Sequence, residues 1–117
     1  IAHSHGKFVF MHSDGYIMDI FEDLIEIGVD AINSQLFCMD IEEIGKRFKG
    51  KVTFWGEIDR QNILPSTNLE IGKNAIKKIN KHLYDSKGGI INQFQFGLDT
   101  NPEMAIAILG EWNKMNN

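Results

Sequence analysis

The side chains able to do chemistry fall in four short polar runs, each placed where an apolar, β-rich stretch gives out. They are His12-Ser13-Asp14-Gly15, Asn33-Ser34-Gln35, Gly56-Glu57-Ile58-Asp59-Arg60-Gln61 and Gln93-Phe94-Gln95-Phe96-Gly97. His12 beside Asp14 suits a metal-ligand pair, or a general acid or base whose ring the carboxylate orients. The plainer reading is local, with His12 hydrogen-bonded in a loop and Asp14 capping a helix that starts near Tyr16. Glu57, Asp59 and Arg60 could form a charged site in which Arg60 keeps a neighbouring carboxylate ionised or clamps an anionic substrate; a simple ion pair at a rim is the alternative. Gly56 just before them allows a ligand to approach the backbone. Asn33, Gln35, Gln61, Gln93 and Gln95 are neutral hydrogen-bonding groups suited to orienting a substrate, or to satisfying one another.

The remaining candidates are weaker. His3-x-His5 has a metal-like spacing but lies before the first strand, at the wrong end for the site. His82 sits on a lysine-rich helix face and reads as solvated. Cys38, between Phe37 and Met39, reads as a buried small hydrophobe rather than a reactive thiolate. Phe54, Trp55, Phe94 and Phe96 read as core.

The elements that must position these groups follow from hydropathic period. Strands are expected at residues 7–12, 29–35, 51–55 and 90–96, each rich in β-branched or aromatic residues. Ile17, Ile20, Phe21, Leu24 and Ile25 recur at helical spacing, with Gly28 as the stop. Asp40 and Glu43 form a capping-box-like pair ahead of Ile41, Ile44 and Phe48, with Gly50 as terminator. A third helix is expected from Ser66-Thr67 to Gly88-Gly89, with Leu69, Ile76, Ile79 and Leu83 inward. A fourth has Thr100 or Asn101 as cap, Pro102 in its first turn and Ala105, Ile108, Leu109 and Trp112 inward.

Four strand-helix units in succession imply parallel strands, since each helix returns the chain to the same end of the sheet. A doubly wound sheet would fit the length, but no Gly-rich phosphate loop joins a strand to a helix. Half of a (β/α)8 TIM barrel fits better, because a whole barrel needs about 250 residues. In either architecture the four polar runs meet at the C-terminal ends of the strands.

Composition removes several function classes. The chain has 117 residues and is 43% hydrophobic, enough for one core spanning 1–117 and no second domain. Twelve Lys and Arg against sixteen Asp and Glu give a net charge of -4, the wrong sign for nucleic acid. Apolar runs are far short of the roughly 20 residues that cross a bilayer, so no membrane is expected. A single cysteine and the lack of a secretory leader imply a cytoplasmic setting. The chain starts at Ile1 without a methionine, so an upstream segment is expected.

Three segments carry a family resemblance: FMHSDGYIMDIFEDLIEIGVDAINSQ at 10–35, GEIDRQNILP at 56–65 and NPEMAIAI at 101–108. They resemble the C-terminal half of the uroporphyrinogen decarboxylase superfamily, a (β/α)8 barrel with a tetrapyrrole decarboxylase branch and a branch of zinc-dependent, corrinoid-linked methyltransferases. In the methyltransferase branch the resemblance implies a His-x-Cys pair after the strand matching residues 7–12 and a further Cys near the last strand. His12 matches the His, Asp14 stands at the Cys position, and Gln93 to Gly97 contains no Cys. The decarboxylase branch uses no cofactor. It uses an Asp and arginines from the N-terminal strands, and a His in the last-strand loop, where this chain has Gln93-Phe94-Gln95.

His12 tilts the assignment to the methyltransferase-like branch. The expectation is a fragment of such an enzyme, with His12, Asp14, Glu57, Asp59 and Arg60 catalytic, His12 and Asp14 on zinc, and a corrinoid protein or small molecule as partner. The missing N-terminal half of the barrel would complete the site, so the isolated chain is expected to be inactive. Porphyrinogen decarboxylation is the second enzymatic reading. The third is a non-catalytic half-barrel unit that pairs with a second copy through its exposed sheet edges.

Overall fold

A computed structural model describes residues 1–115. Strands and helices alternate: β1 (Phe10–Ser13), α1 (Phe21–Glu26), β2 (Ala31–Ser34), α2 (Ile41–Phe48), β3 (Thr53–Glu57), α3 (Leu69–Leu83), β4 (Ile90–Gln93) and α4 (Pro102–Met115). The fold is α/β, with one parallel sheet in the order β1-β2-β3-β4. That order never reverses, so the sheet has no doubly wound switch point, and crossovers of a single hand, the rule for parallel strands, put the helices on one face.

Register assigns the two faces. Met11, Ile32, Phe54 and Ile90 form one row across the sheet, and His12, Asn33, Trp55 and Ile91 form the next. Successive residues of a strand point to opposite sides, so these rows face apart. The first row lies under the helices: Phe21 of α1 stacks on Phe48 of α2 at 5.0 Å and packs on Phe54 at 6.2 Å. Each such side chain, wholly withdrawn from water, contributes about 1.5–3 kcal/mol. Neighbouring helices approach closely where a side chain is missing. A Cβ on Gly45 of α2 would strike the His82 carbonyl of α3, and one on Gly72 of α3 would strike Met104 and crowd Ile108 of α4.

The opposite face is open. Phe10 is 59% exposed and packs edge-on against the half-buried Trp55, while Phe8 and Ile91 are also exposed. No helix among the described residues covers this face. Trp55 therefore belongs to the open side rather than to the helix-facing core, and Phe96, also expected in the core, is exposed beyond the end of β4. Phe54 and Phe94 do join the core; Phe94 stacks on Trp112 at 5.7 Å.

Local chemistry moved several boundaries. The run from Ile17 to Ile25 is a 3-10 turn at Met18–Ile20 followed by the short α1, and Ile20 is exposed. Asp14 caps no helix, since the cap position of that turn is Ile17. Asp40 caps α2 as expected, accepting from the amides of Glu42 and Glu43, an arrangement typically contributing about 1 kcal/mol. α3 begins after Asn68, whose side chain accepts from the Glu70 amide, because Ser66 is engaged in the preceding turn through the Asn68 amide. It ends at Leu83, where Tyr84 turns extended, and Gly88 belongs to a tight turn paired with Asp85. Asn101 caps α4 through the Glu103 amide, and Leu109 faces outward.

Candidate functional site

The open face ends, at the C-terminal edge of the sheet, in a connected set of polar side chains. His12 is the next-to-last residue of β1, and its Nδ1 lies 2.6 Å from Asn33 Oδ1 on β2. Asn33 Nδ2 donates to the Trp55 carbonyl at 3.0 Å and to Gln93 Oε1 at 2.8 Å. A backbone carbonyl only accepts, so the Asn33 nitrogen must face Trp55 and its oxygen must face His12. That oxygen also only accepts, which puts a proton on His12 Nδ1. In the neutral ring Nε2 then carries the lone pair, 3.7 Å from Asp14 Oδ1.

Arg60 gathers the other junctions. Its Nη1 donates to Gln95 Oε1 at 2.8 Å and lies 3.8 Å from Glu57 Oε1, and its Nη2 lies 3.5 Å from Asp14 Oδ1. Residues of β1, β2, β3 and β4, or of the loops directly after them, thus form one contact network. The loops bearing Arg60 and Gln95 are also tied by backbone: the Asn101 amide donates to the Leu64 carbonyl at 2.8 Å and its side chain to the Ser66 carbonyl at 2.9 Å. Thr100 accepts from the Gly97 amide and so tightens the turn after Gln95.

The remaining expected site residues divide by what their side chains already do. Asp59 caps its own turn, accepting from the amides of Gln61 and Asn62 and from Asn62 Nδ2. Partial burial works against its ionisation, but the Asn62 side-chain and backbone donors and the Gln61 amide outweigh it and hold the carboxyl below its ordinary range. Gln35 holds the loop after β1 through a 2.6 Å bond from the Gly15 amide. Gln61 is exposed, and its amide serves the Asp59 turn. Glu57 differs from all of them: it is 6% exposed, and among the described residues its side chain has no hydrogen-bond donor, with Arg60 as its ion-pair neighbour. It lines a cavity of about 100 Å³ together with Gln35, Phe37, Cys38, Asp59, Arg60, Gln61 and Asn62.

Cys38 is exposed rather than buried, because it ends a 3-10 turn at the mouth of that cavity. His82 is half-buried, with its backbone against Gly45. His3 and His5 lie in a turn at the opposite end of the sheet, where His3 Nε2 meets Asp30 Oδ2 at 2.7 Å. Two contributors carried no usable sequence signal. The Trp55 carbonyl fixes Asn33 whatever side chain Trp55 bears, and Phe37 reads as one more apolar residue.

His12 and Asp14 offer two donors to a zinc ion, whereas protein zinc sites typically carry three or four protein ligands. Among the described residues no group of three His, Cys, Asp or Glu could hold a metal. Arg60 beside the same Asp14 oxygen adds a positive charge where a cation would lie. The donors of this chain alone do not fit zinc. No helix is long and apolar enough to cross a membrane among the described residues. No protein-family model, curated protein or solved structure matches the chain.

Proposed function

We propose that the chain is one half of a (β/α)8 barrel enzyme of the uroporphyrinogen decarboxylase superfamily, on its methyltransferase-like branch, and that its polar edge is half of the active-site rim. The observation that carries this reading is His12, whose Nδ1 is protonated against Asn33 and whose Nε2 is left as the proton acceptor. An acceptor thiol bound at the rim gives its proton to Nε2 while its sulfur takes a methyl group from a corrinoid carrier, which keeps the electron pair of the broken bond. Asp14 and Glu57 already offset the charge of Arg60, so a polycarboxylate meets little net positive charge here. That weighs against porphyrinogen decarboxylation.

The unreversed strand order and one-sided helices support the half-barrel, because they leave a face that a second half would cover. A cleft of about 610 Å³ lies at the N-terminal end of the sheet, away from the polar rim, where Phe8, Phe10 and Ile91 meet the turns at Gly28, Gly50 and Gly88-Gly89, and it is one part of the surface to be filled. The test is thiol-dependent demethylation of methylcobalamin by the protein with its barrel completed, comparing wild type with His12→Ala. Loss of about 10²-fold or more in rate is expected. An unchanged rate removes His12 from the chemistry, and no turnover by the wild type removes the methyl-transfer reading.

A further inference from the structure

Glu57 stands apart from every other carboxylate at the rim. Asp59 has its oxygens filled by three donors, and Asp14 is exposed to water beside His12 and Arg60. Glu57 is 6% exposed, and among the described residues its side chain accepts no hydrogen bond and has Arg60 as its ion-pair neighbour at 3.8 Å, beyond hydrogen-bonding reach. Its oxygens are not sealed off as the Ser34 hydroxyl and the Trp112 indole N–H are, and among the described residues no protein group donates to them.

The cavity beside it has the remaining features of a small cation site. Phe37 contributes an aromatic ring to the lining, and such faces attract alkylammonium groups. Glu57 and Asp59 supply two negative charges against the single positive charge of Arg60, leaving one unbalanced. Arg60 is itself drawn away by its bond to Gln95 and by Asp14. About 100 Å³ is room for a few heavy atoms, since a water occupies about 30 Å³.

We propose that this cavity binds the small primary ammonium group of a ligand, with Glu57 accepting its N–H donors and the Phe37 ring covering its carbon side. The cation settles the unbalanced charge and brings N–H donors to Glu57 where the described protein groups bring none. This deepens the rim reading and rests on the rim being a ligand site: it states the polar group that a rim-bound molecule would carry.

The probe is ethylammonium chloride, titrated into the 117-residue chain and followed by NMR, with ethanol and sodium acetate as shape-matched controls. Ethylammonium should shift the Phe37 ring and Glu57 amide resonances, and both controls should leave them in place. Glu57→Gln should weaken ethylammonium by about tenfold or more, and Phe37→Leu by a smaller factor; the second variant carries the test if the first does not fold. Ethanol binding as well as ethylammonium, acetate binding in its place, no ethylammonium binding, or unchanged affinity in a folded variant would overturn the proposal. The His12 tautomer is read on the same samples. Protonated Nδ1 without ethylammonium binding defeats the ammonium site alone, whereas ethylammonium binding with a proton on Nε2 defeats the His12 mechanism alone.

Discussion

The two ends of the sheet each carry a histidine near an aspartate, and the pairs are built differently. At the N-terminal end His3 Nε2 meets Asp30 at 2.7 Å, and the same Asp30 oxygen accepts the Val9 amide, also at 2.7 Å. Asp30 thereby ties the N-terminal segment to the start of β2. The His3 hydrogen bond, then the Val9 amide, hold its carboxyl below the ordinary value near 3.8. At the C-terminal end His12 is oriented by a neutral amide, and Asp14 stays at 3.7 Å, so Nε2 has no committed partner. A histidine bound directly to a carboxylate on its remaining nitrogen is a clamp. One held by Nδ1 alone keeps a nitrogen available for chemistry.

The largest expected consequence is in rate. His12→Ala should lower methyl transfer by about 10²–10⁴-fold, while His3→Ala should leave the rate at that of the wild type; equal losses would erase the distinction between the two ends. Next comes Asn33→Ala, which removes three partners at once. Chemical denaturation should show a loss of about 1–3 kcal/mol, and the His12 ring should lose its fixed tautomer; a variant with the tautomer intact would mean that something else orients the ring. Gly72→Ala tests the helix layer separately. Overpacking against Met104 and Ile108 should cost about 1–3 kcal/mol while leaving the His12 resonances unmoved.

The smallest effect concerns the clamp. Because the folded Asp30 carboxyl lies below its unfolded value, its contribution to stability is present above about pH 3.8 and is lost as pH falls through the lower folded value. Thermal melts of Asp30→Asn should therefore sit below wild type at neutral pH and converge with it in acid. A constant gap across that range would contradict the clamp.

Hydropathic period made the order of elements legible: Phe21, Ile44, Ile79 and Ile108 each sit inward on the helix expected of them. Composition did not give away which sheet face lay open. Trp55 is as apolar as Phe54, and only strand register separates them. Helix ends were lost where several capping residues competed, as at Ser66-Thr67-Asn68, since hydroxyl and amide side chains serve turns and caps alike. His12, Asn33, Gln93, Arg60 and Gln95 were all visible as polar residues at strand ends. Their linkage was not, because it depends on Asn33 reaching from β2 to three neighbours at once.

The tautomer of His12 is the most direct test of the account. Long-range ¹H–¹⁵N correlation on the wild-type chain, at a pH where the ring is neutral, should find the proton on Nδ1 and a bare Nε2, with the preference lost in Asn33→Ala. A neutral ring protonated at Nε2 would contradict it, because Asn33 would then not be orienting His12 and the rim would hold no positioned proton acceptor.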